Sequence, residues 1–398
     1  MQGHNRNEQM EKMNNTSESA QESNAPSPSL QARPRSANVG RIALIMALIL
    51  LVAAAASIGA AVLIKNTNTT TGNSGTHPNP GNAALAVNAS GIVAFTDQSG
   101  TSSHSNVITL AVNSLLAPPA GFQYEAWLVD SASKHAIALG KLVAKNQSFT
   151  LSYISNGINL IGAGDTIEIT LEHGAVSLPT GKVLLSAAFP PQAFVYVRNL
   201  LVSFVTTTGR TGLLVGLLAE SQTLNAVAQL LQNKTMQSNA AAVQCVAQNV
   251  LDIIEGKTGA HYKPLSAKCD ALQISSIGDG FGLLGPNGYI ANAASEVSLA
   301  GSRGDATIDI RVHERHVSIV LADMQGWLAT VQQDALTLLN TPNNSAKAQE
   351  IVTLADPSLH GVDINGDGSI DYVPGEAVAT IAYIHGQYMA GLILAPNS

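Results

Sequence analysis

An acidic, glycine-containing loop near the C-terminus carries the residues best suited to chemistry. Oxygen-bearing side chains recur there at alternate positions, and a glycine follows where a sharp turn is needed. Calcium takes six to eight hard oxygen ligands, which carboxylate, amide and backbone oxygens supply. The candidate ligands are Asp363, Asn365, Asp367, Ser369 through its carbonyl, Asp371 and Glu376.

Residues 363–376 resemble the calcium loop of EF-hand and dockerin proteins over the first two thirds of that loop. The pattern departs at position 12, where Pro374 replaces the bidentate Glu and Glu376 comes two residues late. We predict calcium as the cofactor, with weak, extracellular-range affinity. The alternative is an Asx-turn loop without metal, because short Asp/Asn/Gly runs form turns unaided. A shorter echo at Gly278-Asp279-Gly280 lacks most ligands, so we expect no second calcium there.

Two histidines three residues apart, His313 and His316, would share one face of a helix and could bind a metal. No third ligand is identifiable from the sequence, so we favour a structural pair over a metal site. His261, His360 and His385 are scattered and matter only if the fold gathers them. The sequence contains no nucleophile elbow, HExxH, Walker loop or dinucleotide fingerprint, so we predict no catalytic residues and no enzymatic activity.

The two cysteines, Cys245 and Cys269, are predicted to form a disulfide. Closing a loop of about 25 residues would contribute on the order of 3 kcal/mol. Two buried free thiols are the alternative. A structural zinc site is disfavoured, because no CxxC or paired His/Cys spacing accompanies the cysteines.

Composition limits the function classes. The chain has 398 residues, 45% of them hydrophobic and 12% charged, which excludes a disordered chain and a disulfide miniprotein. Aromatic residues make up only 4% and the net charge is −7, so nucleic acid is not an expected partner.

Residues 42–64 form an uninterrupted uncharged stretch that is long enough to cross a bilayer as a helix. Arg33, Arg35 and Arg41 precede it and Lys65 follows it, so the positive-inside rule places the N-terminus in the cytoplasm. We predict a disordered cytoplasmic tail over 1–41, a single transmembrane helix and a flexible linker over 65–87. The expected localisation is the plasma membrane, single-pass, with the C-terminal domains extracytoplasmic. A cleaved signal peptide is the alternative.

Residues 88–191 are predicted to form an antiparallel β-sandwich. Short runs of alternating apolar residues are separated there by turn formers. The predicted strands span 92–96, 107–115, 124–129, 137–143, 149–153, 166–171 and 183–187. Trp127 is predicted to lie in the core.

The same region resembles the extracytoplasmic C-terminal domain of anti-sigma-K factors. The resemblance rests on 124–130 (YEAWLVD), 138–142 (ALGKL), 167–174 (IEITLEHG) and 179–185 (PTGKVLL), in this order. It implies a sensor-like ectodomain. Residues 1–41 show no counterpart of the family's folded cytoplasmic domain, so the resemblance does not extend to sigma-factor binding.

Residues 192–398 change to helical periodicity and predict a bundle of five or six helices that carries the acidic loop 363–371. The predicted helices cover 194–205, 213–232, 243–254, 306–340 and 376–394, with Ser238 as a candidate N-cap and Gly256 beyond the end of the third. The expected fold class is therefore an α+β multidomain membrane protein: one transmembrane helix, an antiparallel β-sandwich, then a helical bundle with an EF-hand-like loop.

The expected function is that of a membrane-anchored extracytoplasmic sensor or signalling protein that resembles anti-sigma-K factors. Its expected partners are the membrane and a membrane or envelope protein. The alternative is a calcium-stabilised structural or adhesion protein of the bacterial cell envelope.

Overall fold

The computed structural model describes residues 85–376 and 378–397. The predicted tail over 1–41, the predicted transmembrane segment 42–64 and all but the end of the predicted linker lie outside these residues. Within them, no helix combines the length and the apolar character needed to cross a bilayer.

Nine antiparallel strands form one continuous sheet in the described part of the chain. Their order across the sheet is β4-β3-β7-β8-β9-β1-β2-β6-β5. The strands are β1 (Ser90–Thr96), β2 (Val107–Asn113), β3 (Phe122–Asp130), β4 (His135–Lys141), β5 (Val143–Lys145), β6 (Ser148–Ile154), β7 (Thr166–His173), β8 (Val183–Ala188) and β9 (Leu392–Pro396).

The predicted alternation explains which face of each strand is buried. Val93 and Phe95 of β1 pair with Leu110 and Ile108 of β2, and all four side chains are buried. Since side chains alternate between the two faces of a strand, Ile92 points to the other side and is 39% exposed. Trp127 of β3 is fully buried, as predicted, and its indole nitrogen donates to Thr170 Oγ1 at 2.9 Å.

The expected fold class is wrong in its architecture, because the strands do not form a sandwich followed by a separate helical bundle. The seven predicted strands are present, but β9 comes from the C-terminus, after all the helices, and joins them into one sheet. It pairs with β1 through Leu392, Ile393 and Leu394 and with β8 through Ala395 and Pro396. The sequence pattern placed residues 392–394 in a helix and therefore missed this connection.

In the described part of the chain, ten α-helices lie between β6 and β9 in sequence. They are α1 (Leu160–Ala163), α2 (Phe194–Leu201), α3 (Leu213–Gln229), α4 (Lys234–Gln237), α5 (Ala240–Glu255), α6 (Ala267–Ala271), α7 (Tyr289–Ser302), α8 (Ile308–Asn340), α9 (Ser345–His360) and α10 (Ala379–Tyr388). Short 3₁₀ turns span Thr208–Arg210 and Leu230–Gln232.

Local signals fix the ends of α5. Asn239, not the predicted Ser238, is its N-cap, because the Asn239 side chain accepts from the backbone N–H groups of Ala241 and Ala242. Gly256 ends the helix at φ 67°, a conformation that favours glycine. The predicted disulfide is confirmed: Cys245 of α5 is bonded to Cys269 of α6.

The long helix α8 is the central element of the helical layer, and α5, α7, α9 and α10 pack against it. Its buried side chains recur at intervals of three and four residues, including Val317, Val320, Leu321, Met324 and Leu328. The predicted helix over 376–394 is shorter in the structure, because α10 ends at Tyr388 and β9 begins at Leu392. The short α10 packs against the N-terminal half of α8 and positions the candidate site.

Candidate metal centre

Three histidine rings from two helices converge between α8 and α10. The Nδ1 atom of His385 lies 2.8 Å from Nδ1 of His313 and 3.1 Å from Nδ1 of His316. One nitrogen of each ring lies within 4.8 Å of the other two. Among residues 85–376 and 378–397, these three form the only group of three or more His, Cys, Asp or Glu side chains that converge closely enough to hold a metal ion.

The backbone explains why these rings meet. His313 and His316 are three residues apart on α8 and so share one face of the helix. His385 lies on α10, and its neighbour Gly386 lets α10 approach α3 closely: a Cβ at Gly386 would lie 2.5 Å from Leu214 Cδ1. A larger residue at 386 would require the Leu214 side chain or α10 to shift, so glycine allows this close packing next to His385.

Burial keeps the three imidazoles in the form that binds metals. Burial and, to a smaller extent, the neighbouring histidines lower the pKa of His385 to about 3 and that of His313 to about 4. The pKa of His316 is also lowered, by burial and by the charge of Arg315. All three rings are therefore neutral near pH 7, and neutral imidazole is the metal-binding species.

The ring nitrogens lie at separations close to those of metal ligands. Zinc–nitrogen bonds of 2.0–2.1 Å in a tetrahedral site place ligand atoms about 3.3 Å apart. The two short Nδ1 separations, 2.8 and 3.1 Å, are smaller than this by a few tenths of an ångström. A small outward movement of the rings would accommodate an ion. Three histidines leave a fourth position for water or another ligand, the arrangement typical of open zinc sites.

Two tyrosines form an aromatic wall around the rings. Tyr372 stacks on His316, with ring centroids 3.4 Å apart and planes 19° from parallel. Tyr388 lies against His313 and His385, with centroids 5.1 and 5.4 Å away. Burial raises the pKa of Tyr388, so its phenol stays neutral. These contacts cover part of the three rings, while Tyr372 itself is 39% exposed.

The acidic loop that contains Tyr372 is built differently. Asp363 accepts from the N–H groups of Gly366 and Gly368 at 2.6 and 2.8 Å. Asn365 accepts from Asp367 N, and Asp367 accepts from Ser369 N. These are the short-range bonds of Asx turns, the metal-free alternative for this loop. The predicted calcium ligands therefore lie together in one loop, and side-chain oxygens of Asp363, Asn365 and Asp367 accept from backbone donors within it.

Glu376, the late acid of the loop, is fully buried and ties the two ends of the loop together. Its two carboxylate oxygens accept from Asn365 N at 3.2 Å and from Asp371 N at 3.1 Å. Burial raises the pKa of Asp371, and the charges of Asp367, Glu376 and Asp363 raise it further. Calcium binding by this loop stays a prediction.

Sequence reasoning found two of the three converging histidines but favoured a structural role for them. The spacing of His313 and His316 was the available signal. His385 follows by 69 residues after His316, and no local pattern connects the two. The packing of α10 on α8 brings the third histidine to the other two.

Comparisons with protein-family models, curated proteins and solved structures found no match.

Proposed function

We propose that this chain is a metal-binding protein in which His313, His316 and His385 hold a divalent transition-metal ion, with Zn²⁺ as the first candidate. The observation that carries the proposal is the convergence of three neutral imidazole nitrogens, two pairs of which lie 2.8 and 3.1 Å apart. A shared metal ion would satisfy all three nitrogens at once, whereas protons can bridge them only in part.

The ligand chemistry selects the kind of metal. Imidazole suits zinc, copper, nickel and iron, whereas calcium and magnesium prefer oxygen ligands. The aromatic wall of Tyr372 and Tyr388 would shield the ion and leave its fourth position to a small ligand. Since copper binds most nitrogen sites more tightly than zinc does, the natural metal also depends on metal availability.

The disulfide supports an oxidising compartment for this part of the chain. Cys245 and Cys269 are bonded, and such bonds are rare in reducing cytosol. An extracytoplasmic sensor, the role expected from the sequence, becomes more specific in this proposal: the sensed signal would be the metal ion itself. The resemblance to anti-sigma-K factors, which does not extend to sigma-factor binding, and the absence of enzymatic activity stay predictions.

Metal titration of the purified protein tests the proposal. We expect the chelator-stripped wild type to bind one equivalent of Zn²⁺ at this centre, and Co²⁺ in its place to give the visible absorption of a tetrahedral nitrogen site. His385→Ala should lose both signals. His360→Ala is the matched control, because His360 is exposed and pairs with Asp356 at the end of α9.

Retention of wild-type zinc stoichiometry and affinity in His385→Ala would overturn the proposal. Circular dichroism of the metal-free variants identifies any loss of signal that is due to unfolding. His313→Ala provides a second test from the opposite helix, since the same loss is expected there.

A further inference from the structure

A buried carboxylate of α3 has an unsatisfied oxygen and marks a second candidate site. Glu220 of α3 is only 4% exposed. Its Oε1 accepts from Asp279 N at 3.1 Å, but its Oε2 has no hydrogen-bond partner among the described residues. Buried polar atoms almost always have a partner, and leaving one without a partner costs on the order of 1–3 kcal/mol.

Protonation of Glu220 does not provide a partner for its Oε2 atom. The Asp279 carboxylate acts as a hydrogen-bond acceptor, because the Phe281 N–H donates to it at 2.8 Å and the Tyr289 hydroxyl at 2.6 Å. Burial and the charge of Asp279 raise the pKa of Glu220 to about 7. An ionised Glu220 would leave Oε2 without a donor, and a proton on Oε2 would have no acceptor among the described residues. A cation beside Oε2 satisfies this oxygen and balances both carboxylates.

Glycine at 278 lets the loop backbone lie close to the unsatisfied oxygen. A Cβ there would lie 3.2 Å from Glu220 Oε2 and 2.9 Å from Ile253 Cγ1, which is closer than such atoms normally approach. The ring of Tyr289 packs across Gly216, one helical turn before Glu220, and this places the Tyr289 hydroxyl on Asp279. Gly278 and Asp279 are both partly exposed, which gives an ion a route from solvent.

We propose that Glu220 and Asp279 form a binding site for a hard divalent cation of the Ca²⁺ class, separate from the three-histidine centre. Two carboxylates match the charge of a divalent ion, and hard cations prefer oxygen ligands with water in the remaining positions. The Gly278-Asp279-Gly280 segment lacks ligands when read alone. The fold adds the second carboxylate from Glu220, 59 residues earlier in the chain.

Terbium luminescence tests this site in the full-length protein, because Tb³⁺ substitutes for Ca²⁺ and is sensitised by a nearby tyrosine. The acidic loop has its own tyrosine, so the measurement uses a background with Asp363→Ala and Tyr372→Phe. We expect sensitised emission in this background, displaced by excess Ca²⁺. Tyr289→Phe should remove the emission, because its phenol is hydrogen-bonded to Asp279.

Glu220→Gln should weaken Tb³⁺ and Ca²⁺ binding at least 10-fold in this background, a loss of about 1.4 kcal/mol or more. Glu168→Gln, a partly exposed acid of β7, is the matched control. Gln has the shape of Glu, so folding should be preserved, and circular dichroism checks it. The proposal is overturned if the background protein gives no displaceable emission, or if Glu220→Gln binds both ions as tightly as Glu168→Gln does. Its outcome is independent of zinc binding by the histidines.

Discussion

The three-histidine centre and the acidic loop lie against each other, yet the chain satisfies their polar atoms in opposite ways. In the loop, the side-chain oxygens of Asp363, Asn365 and Asp367 accept from backbone N–H groups two to five residues away. In the centre, the Nδ1 atom of the buried His385 faces those of the half-buried His313 and His316. The polar side chains of the loop are hydrogen-bonded without an ion. A metal ion would stabilise the histidine centre more than the loop.

Contacts of Tyr372 and Gly375 join these regions. Tyr372 of the loop stacks on His316, and Gly375 N donates to Asp323 of α8 at 2.8 Å. The loop therefore rests on the same helix that carries two of the three histidines. This proximity allows each region to be changed separately while the response of the other is measured.

The largest expected effect is the loss of zinc binding in His313→Ala. Removal of a direct ligand should cost more than the 10–100-fold that is typical of outer-shell changes around a metal. Zinc at 1,000 times Kd should stabilise the wild type by about 4 kcal/mol, and this gain should disappear in the variant. The measurement is thermal unfolding with and without Zn²⁺. The comparison fails if Asp363→Ala loses as much zinc stabilisation as His313→Ala.

The next effect is the pH dependence of the metal-free protein. The pKa values of His313 and His385 are about 4 and about 3 in the folded state, below the value near 6.5 expected in the unfolded chain. The unfolded state therefore binds more protons as the pH falls from about 6.5 towards 4, and the free energy of unfolding should decrease by a few kcal/mol. Asp371 acts in the opposite direction: its pKa is raised, so acid relieves repulsion in the folded loop.

Urea unfolding across this pH range measures both contributions. His385→Phe should flatten the acid loss, because the phenyl ring fills the space without binding a proton. Asp371→Asn should make the acid loss slightly steeper. If His385→Phe and the wild type lose stability equally on acidification, the histidines of the centre are not the source of the acid loss.

A smaller stabilisation is expected from calcium at the acidic loop. At 10–100 times Kd, a ligand adds about 1.4–2.7 kcal/mol, and loops of this type in extracellular proteins bind in the weak range. Thermal unfolding in a Glu220→Gln background isolates the loop from the second proposed site. Asp363→Ala should remove the calcium response, and His313→Ala should keep it. Equal melting of the Glu220→Gln background and of its Asp363→Ala variant, with and without calcium, would show that the loop is only a turn.

Periodic sequence patterns predicted the positions of strands and helices, because side-chain alternation and helical spacing are local properties. The seven predicted strands and the helix around 243–254 follow from this, and so does the acidic loop, whose residues are contiguous. The disulfide could also be predicted from the sequence, since the chain has only two cysteines.

The pairing of strands and the convergence of side chains that are distant in sequence could not be predicted in the same way. Residues 392–394 continue the apolar spacing of the preceding helix, and only their pairing with β1 makes them a strand. His385 and Glu220 matter because helices distant in sequence bring them to His313 and Asp279. A buried atom that lacks a partner becomes visible only when its surroundings are known.

The smallest expected effect tests the contact between the two regions. Tyr372→Ala removes the ring stacked on His316, and aromatic contacts of this kind contribute about 0.5–1.5 kcal/mol. We therefore expect zinc affinity to fall about 2- to 10-fold, with the stoichiometry unchanged, in a competition titration against a chelator. Tyr372→Phe keeps the stack and should bind zinc like the wild type. If Tyr372→Phe and Tyr372→Ala weaken zinc binding equally, the hydroxyl of Tyr372 matters and its stacking on His316 does not. If neither variant weakens zinc binding, the loop makes no contribution to the centre, and the two regions are independent despite their contact.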